Sequence, residues 1–179
     1  MTTATQPASA QPNAQSAPGR QWFADFQREY ESTRKLLERY PDGKGEWRPH
    51  EKSGTLSGVA THVAEITGFG VDILSETEFD IAKRQRPPRS DSSRELVTLA
   101  DGNAAELQKL LDAASVDELN KVCTIKYGEH TIASAPRRIL LRGFVMNHMI
   151  HHRGQLGVYL RLLGVPIPGM YGPSADEPM

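Results

Sequence analysis

The sequence predicts an all-α fold, a four-helix bundle, on three observations. Four segments repeat apolar residues at helical spacing, β-preferring residues gather in one short stretch only, and histidines interrupt two of the apolar stripes. At 179 residues the chain holds one domain with a single core, read as residues 21–179 behind an N-terminal tail.

The first twenty residues are mostly Ala, Thr, Gln, Pro and Ser without hydrophobic period, so they cannot repay the entropy of ordering and are expected to be disordered. From Gln21 to about Tyr40, Trp22, Phe23, Phe26, Tyr30, Thr33, Leu36 and Leu37 recur at spacings of three and four, and Pro41-Asp42-Gly43 ends the first helix. A connector with Trp47 and Pro49 leads to Ser53-Gly54-Thr55, where a hydroxyl can cap a second helix from Leu56 to about Ser75. Its inward positions read Leu56, Val59, His62, Val63, Ile66, Phe69 and Ile73, so a histidine stands where the pattern asks for an aliphatic residue. The tract Arg84 to Ser93 reads as a loop between helices.

A third helix is expected from Ser92 or Ser93 to Ala114, with Leu96, Leu99, Leu107, Leu110 and Leu111 inward and Gly102 as a soft spot. Val122 to Tyr127 allows a short hairpin before Gly128, too little to establish a sheet. The fourth and longest helix starts near Ser134-Ala135-Pro136 and runs to Leu163, where Gly164 and Pro166 stop it. The closing segment, Tyr171 to Glu177, has turn formers and no helical period, and is expected to lie irregularly across the bundle.

Composition narrows the function. Lys and Arg number 21 against 22 Asp and Glu, a net charge of −1, which disfavours a general polyanion binder, so no nucleic acid partner is expected. No run approaches the roughly 18 apolar residues of a membrane span, and no secretory signal opens the chain. The single cysteine, Cys123, precludes an internal disulfide and reads as a buried inert thiol. These features point to a cytoplasmic protein without a membrane partner; the expected partner, a small-molecule substrate, follows from the histidines.

The histidines carry the chemistry. His148, Met149, Ile150, His151 and His152 place three imidazoles in little more than one helical turn, and His148 and His152, at i and i+4, project from one face. Alone, His62 would be a hydrogen-bonded core histidine; with an inward pair on another helix it becomes the third ligand of a site inside the bundle. Three imidazoles favour a divalent transition metal, with Zn, Ni and Fe foremost, and leave a coordination position open, as catalytic sites do. His151 lies about 100° around the helix from His152 and is assigned a supporting role. Glu65, three residues after His62, can orient a ligand or serve as a base, an exposed helix glutamate being the commoner reading; Arg153 can hold a substrate carboxylate or pair with the C-terminal segment, the structural role being favoured. Tyr159 belongs to the core, and His50 and His130 fall in loops.

On these residues the chain resembles the DinB/YfiT-like family of metal-dependent proteins. The resemblance rests on Trp47 with Pro49, LSGVATHVAEI around His62, the stretch HMIHHRGQLGVYLRLLGV and the closing PIPGMYGPSADE, and covers most of residues 21 to 177. It implies a four-helix bundle of unusual helix order, often a homodimer, with one metal held at the positions of His62, His148 and His152. It further implies an enzyme activating water or a low-molecular-weight thiol, a thiol transferase or hydrolase. A non-catalytic metal-binding bundle with a structural or ligand-sensing role is the competing reading.

Overall fold

The computed structural model describes residues 18–178. Its first helix, α1 (Pro18–Leu37), begins three residues before the expected Gln21, so the end of the presumed tail is helical; residues 1–17 lie outside the described residues. Arg39 and Tyr40 bond back to the carbonyls of Leu36 and Leu37, a tightened last turn ahead of Pro41. Phe26, Leu36 and Leu37 are fully buried, the inward stripe that the spacing required.

The second helix, α2 (Leu56–Ser75), has the predicted bounds because Thr55 caps it, its hydroxyl accepting from the Gly58 amide at 3.2 Å. It is the central helix: fourteen of its residues are buried, among them Ala60, Ala64, Gly68 and Gly70, small residues that admit neighbours. A methyl group at Gly70 would stand 2.9 Å from Leu107 Cδ1, which shows how closely α2 meets α3 (Ser93–Ala113). Gly102 does not break α3, which runs through it and buries Leu96, Ala100, Ala104, Leu107 and Leu111.

The fold is mainly helical but not purely all-α. A three-stranded sheet forms from β1 (Glu78–Asp80), β2 (Val122–Tyr127) and β3 (His130–Pro136), in the order β1-β2-β3. The permitted hairpin is the antiparallel β2-β3 pair, turning at Gly128 with φ of +58°. The strand missing from the expectation is β1, three residues that pair in parallel with Thr124 to Lys126. So short a segment has no period of its own, and it becomes a strand because its neighbour is present. Cys123 and Ile125, alternate residues of β2, are fully buried in the helical core, which holds the sheet against the bundle. A short helix, α4 (Val116–Asn120), capped by Ser115, precedes β2 and buries Leu119.

The last long helix is also more structured than the sequence implies. It comprises α5 (Arg137–Leu140), a π-helical stretch (Leu141–Asn147) and α6 (His148–Leu162), end to end. The wider π turn changes the rotational phase, so a straight 3.6-residue wheel does not carry across Asn147. His148 and His152 both lie beyond it, and their i, i+4 relation survives. Gly164, at φ of +72°, ends α6 as predicted, with the Val165 amide bonding back to Leu160 O. No helix among the described residues is long and apolar enough to cross a membrane.

Candidate metal centre

His62 on α2 and His148 and His152 on α6 meet inside the bundle, their candidate ligand atoms all within 4.8 Å of one another. Ring centroids are 4.9, 4.6 and 4.7 Å apart. Three nitrogens at 2.0–2.1 Å from a tetrahedral cation would stand about 3.3 Å apart. The His62 and His148 Nε2 atoms already lie 3.2 Å apart.

The other nitrogen of each ring is occupied. His62 Nδ1 is 2.9 Å from Glu65 Oε1, His148 Nδ1 is 3.3 Å from the Phe144 carbonyl, and His152 Nδ1 is 2.9 Å from Gln155 Oε1. Neither a carboxylate nor a backbone carbonyl has a proton to give, so Nδ1 donates in His62 and His148. In the neutral rings both Nε2 atoms then carry lone pairs and face one another at 3.2 Å. Two lone pairs repel at that distance, and a cation between them turns the repulsion into coordination. The three donors are therefore placed to hold a metal ion.

The surroundings of the two rings on α6 favour their neutral form. Burial, followed by the neighbouring imidazoles of His62 and His152, brings His148 down to about 4. His152 is lowered for the same first reason, against an opposing hydrogen bond to Gln155 Oε1. Phe69 and Phe144 flank His148 at 6.4 and 5.6 Å, an aromatic wall on one side of the cluster. On the other side lies a cavity of about 480 Å³, whose lining includes His62, His152, Glu65, Thr61, Arg86 and Arg89.

Glu65 is not an exposed helix carboxylate. It is 1% exposed, and Arg86 Nη2 reaches Oε1 at 2.6 Å while Arg84 Nη1 stands 3.6 Å from Oε2. Burial alone would raise its pKa, but hydrogen bonds from His62 and Arg86 and their charges together carry it below the ordinary carboxylate value. The sequence reading missed Arg84 and Arg86, which lie in a loop with no spacing relation to the histidines. It also missed Gln155, although that residue follows His152 by three and so shares its helix face.

The remaining candidates fall elsewhere. His151 is exposed, with its ring 4.8 Å from that of His152. Arg153 is 3% exposed and turns to α1 and the C-terminal segment, donating to Glu29 Oε2, Glu29 O and the Tyr171 hydroxyl at 2.8 Å each. Tyr159 is buried, donates to Gly54 O and meets Trp47 edge-on, which gives the Trp47 connector its place in the core. Cys123 is fully buried and its thiol pKa is pushed up by burial. His50 and His130 are exposed.

Helices around a half-buried three-histidine cluster of metal-binding spacing define the class: a mainly helical protein with a candidate metal centre between its second and last long helices. The chain belongs to the DinB family, whose family model matches residues 8–179. Among solved structures, the fold is similar to a DinB-like protein of Bacillus subtilis, YjoA, with a TM-score of 0.65 and 19% identity over 89% of this chain and 99% of that one. It is likewise similar to a DinB-like protein of Bacillus cereus ATCC 10987, with a TM-score of 0.65 and 21% identity over 84% and 95%. At these identities the likeness shows the fold. The uncharacterized protein YrdA of Bacillus subtilis strain 168 is 47% identical over 34 residues, 19% of this chain, and the match spans 20% of that relative's length.

Proposed function

We propose that the protein is a metal-dependent enzyme holding one divalent transition metal on Nε2 of His62, His148 and His152, and acting on a small substrate in the adjoining cavity. The observation that carries this reading is the pair of facing Nε2 lone pairs at 3.2 Å, with the opposite nitrogens held by acceptors. When bound, a Zn, Ni or Fe ion would supply Lewis acidity that makes water or a low-molecular-weight thiol a nucleophile near neutral pH.

The chain's own residues do the rest. Glu65 fixes the His62 ring and raises its donor strength, the Phe144 carbonyl does so for His148, and Gln155 holds His152. Phe69 and Phe144 keep water from one side, so a reactant approaches through the cavity beside His62 and His152. Glu65 is the one carboxylate among the described cavity residues, and its ties to His62 and Arg86 fit it to position rather than to collect protons. A proton released from the nucleophile would pass to solvent water at the cavity mouth. Thiol transfer to a small electrophile and hydrolysis both fit this arrangement, and the cavity beside the ligands favours either over a closed structural metal.

Elemental analysis of the purified protein and of His62→Ala, His148→Ala and His152→Ala tests the reading. We expect one transition-metal ion per chain in the wild type and its loss from each variant. Full retention in the variants, or no metal in a wild type grown with all three metals, refutes it. Incubation of the metal-loaded protein with thiols and electrophiles, with and without thiol, then separates transferase from hydrolase.

A further inference from the structure

The connection between β1 and α3 runs back along α2 as a strap. Arg84 Nε bonds Asp72 Oδ2 at 2.6 Å, Arg86 Nη2 bonds Glu65 Oε1 at 2.6 Å, and the Ser90 amide donates to Thr61 Oγ1 at 3.0 Å. Its far end is held by the Tyr40 hydroxyl, which donates to Asp91 at 2.7 Å. Between the last two clasps on α2 stand Pro87 and Pro88, which stiffen the backbone. These clasps place Arg89 on the cavity wall, against the first turn of α2. A methyl group at Gly58 would lie 3.7 Å from Arg89 Nε and 3.8 Å from Cζ, so the glycine leaves room for the guanidinium.

The cavity's charges are unbalanced. Glu65 supplies the one carboxylate among the described lining residues, and His62, Arg86 and Arg84 already surround it. Arg89 has no ion pair or hydrogen bond to any described residue, whereas Arg84 pairs with Asp72 and Glu65 and Arg86 with Glu65. A guanidinium presents up to five donors in a planar fork that matches carboxylate or phosphate oxygens. A divalent ion on the histidines would make the cavity more positive still, and a small anionic molecule is the occupant that balances it. The volume, about 480 Å³, is that of a small-molecule site.

We infer that Arg89 is the anion-recognition residue of this cavity, binding a carboxylate or phosphate of a small substrate whose reacting end faces His62, His148 and His152. The second half of the inference rests on the metal reading above; the anion contact does not. Arg89 is exposed, so its replacement leaves the fold intact.

Calorimetric titration with malonate and with inorganic phosphate tests it, using zinc-loaded and chelator-treated protein, wild type, Arg89→Gln and Arg89→Lys, with zinc content measured in each. Saturable binding of at least one anion is expected in the wild type, weakened by about 10-fold or more in Arg89→Gln and less in Arg89→Lys. The anion that binds identifies the carboxylate or phosphate source. Binding of neither anion, or equal binding by the wild type and Arg89→Gln, overturns the inference. If the wild type holds none of zinc, nickel and iron, the metal reading falls, while Arg89-dependent binding to the chelator-treated protein still decides the anion contact.

Discussion

Replacing Glu65 by Gln removes one charge and almost no volume from the centre of the site. The amide oxygen can still accept from His62 Nδ1, so the bond now measured at 2.9 Å can persist, but as a neutral one of about half the strength. Arg86, 2.6 Å away, loses its anion; 61% exposed, its side chain can return to water. Arg84 keeps Asp72 at 2.6 Å. Removing one member of a buried pair costs about 3–5 kcal/mol, and solvent access for Arg86 together with the second partner for Arg84 reduces that to about 1–2 kcal/mol here. The effect on metal affinity is separate. A carboxylate behind an imidazole strengthens it as a donor, and its loss lowers affinity by about 10- to 100-fold, or about 1.4–2.7 kcal/mol. Competition against a chromophoric chelator measures the affinity, urea denaturation of the metal-free protein measures the fold, and histidine ¹⁵N shifts report which ring nitrogen carries the proton. An unchanged affinity, within about threefold, in a folded Glu65→Gln protein with the same His62 tautomer would refute the positioning role.

The metal-free protein should lose stability on acidification. The folded His148 takes its proton only near 4, whereas the unfolded chain takes it near the usual 6.5, so falling pH through that window favours unfolding. The loss is on the order of 1–2 kcal/mol after allowance for solvent screening of a half-buried ring, and a pH series of urea melts should show it reduced in His148→Gln; equal slopes would refute it. Arg153→Ala should destabilise the fold by about 3 kcal/mol or more, because Glu29 loses its buried partner, yet leave metal affinity unchanged, and a drop in affinity without loss of stability would contradict its packing role. Cys123, fully buried with a raised thiol pKa, should react with a thiol reagent only on unfolding; rapid modification of the native protein would contradict its inert reading.

What the sequence revealed depended on how local each cause is. The start of α2 was legible to the residue because Thr55 caps it by a bond spanning three residues. The pair His148 and His152 was legible because both lie in α6, beyond the π stretch that a straight helical wheel could not foresee. β1 was not, since three residues carry no period and its pairing partner lies more than forty positions on. The recruitment of His62 required two helix stripes to be matched, and the polar interruption in each supplied the match. Glu65 was misjudged for an equally physical reason. A glutamate on a helix is buried only when cations meet it, and Arg84 and Arg86 arrive from a loop whose path no local pattern specifies.

That loop ties the site to the fold. Its arginines neutralise Glu65, Glu65 orients His62, and His62 faces the pair on α6. Each link is a contact between residues distant in sequence, except the step from His62 to Glu65 within one helical turn. Shortening the strap by deleting Pro88 would therefore be expected to act at a distance: it pulls Arg86 from Glu65 or Ser90 from Thr61, since both clasps cannot be kept across one residue fewer. If Arg86 yields, metal affinity should fall in the manner of Glu65→Gln; if Ser90 yields, the Arg89 wall moves and metal affinity stays. Measuring metal affinity and anion binding on the one deletion variant separates these two outcomes. Retention of both at wild-type strength would show that the strap is slack, and that the buried carboxylate does not depend on it for its place behind His62.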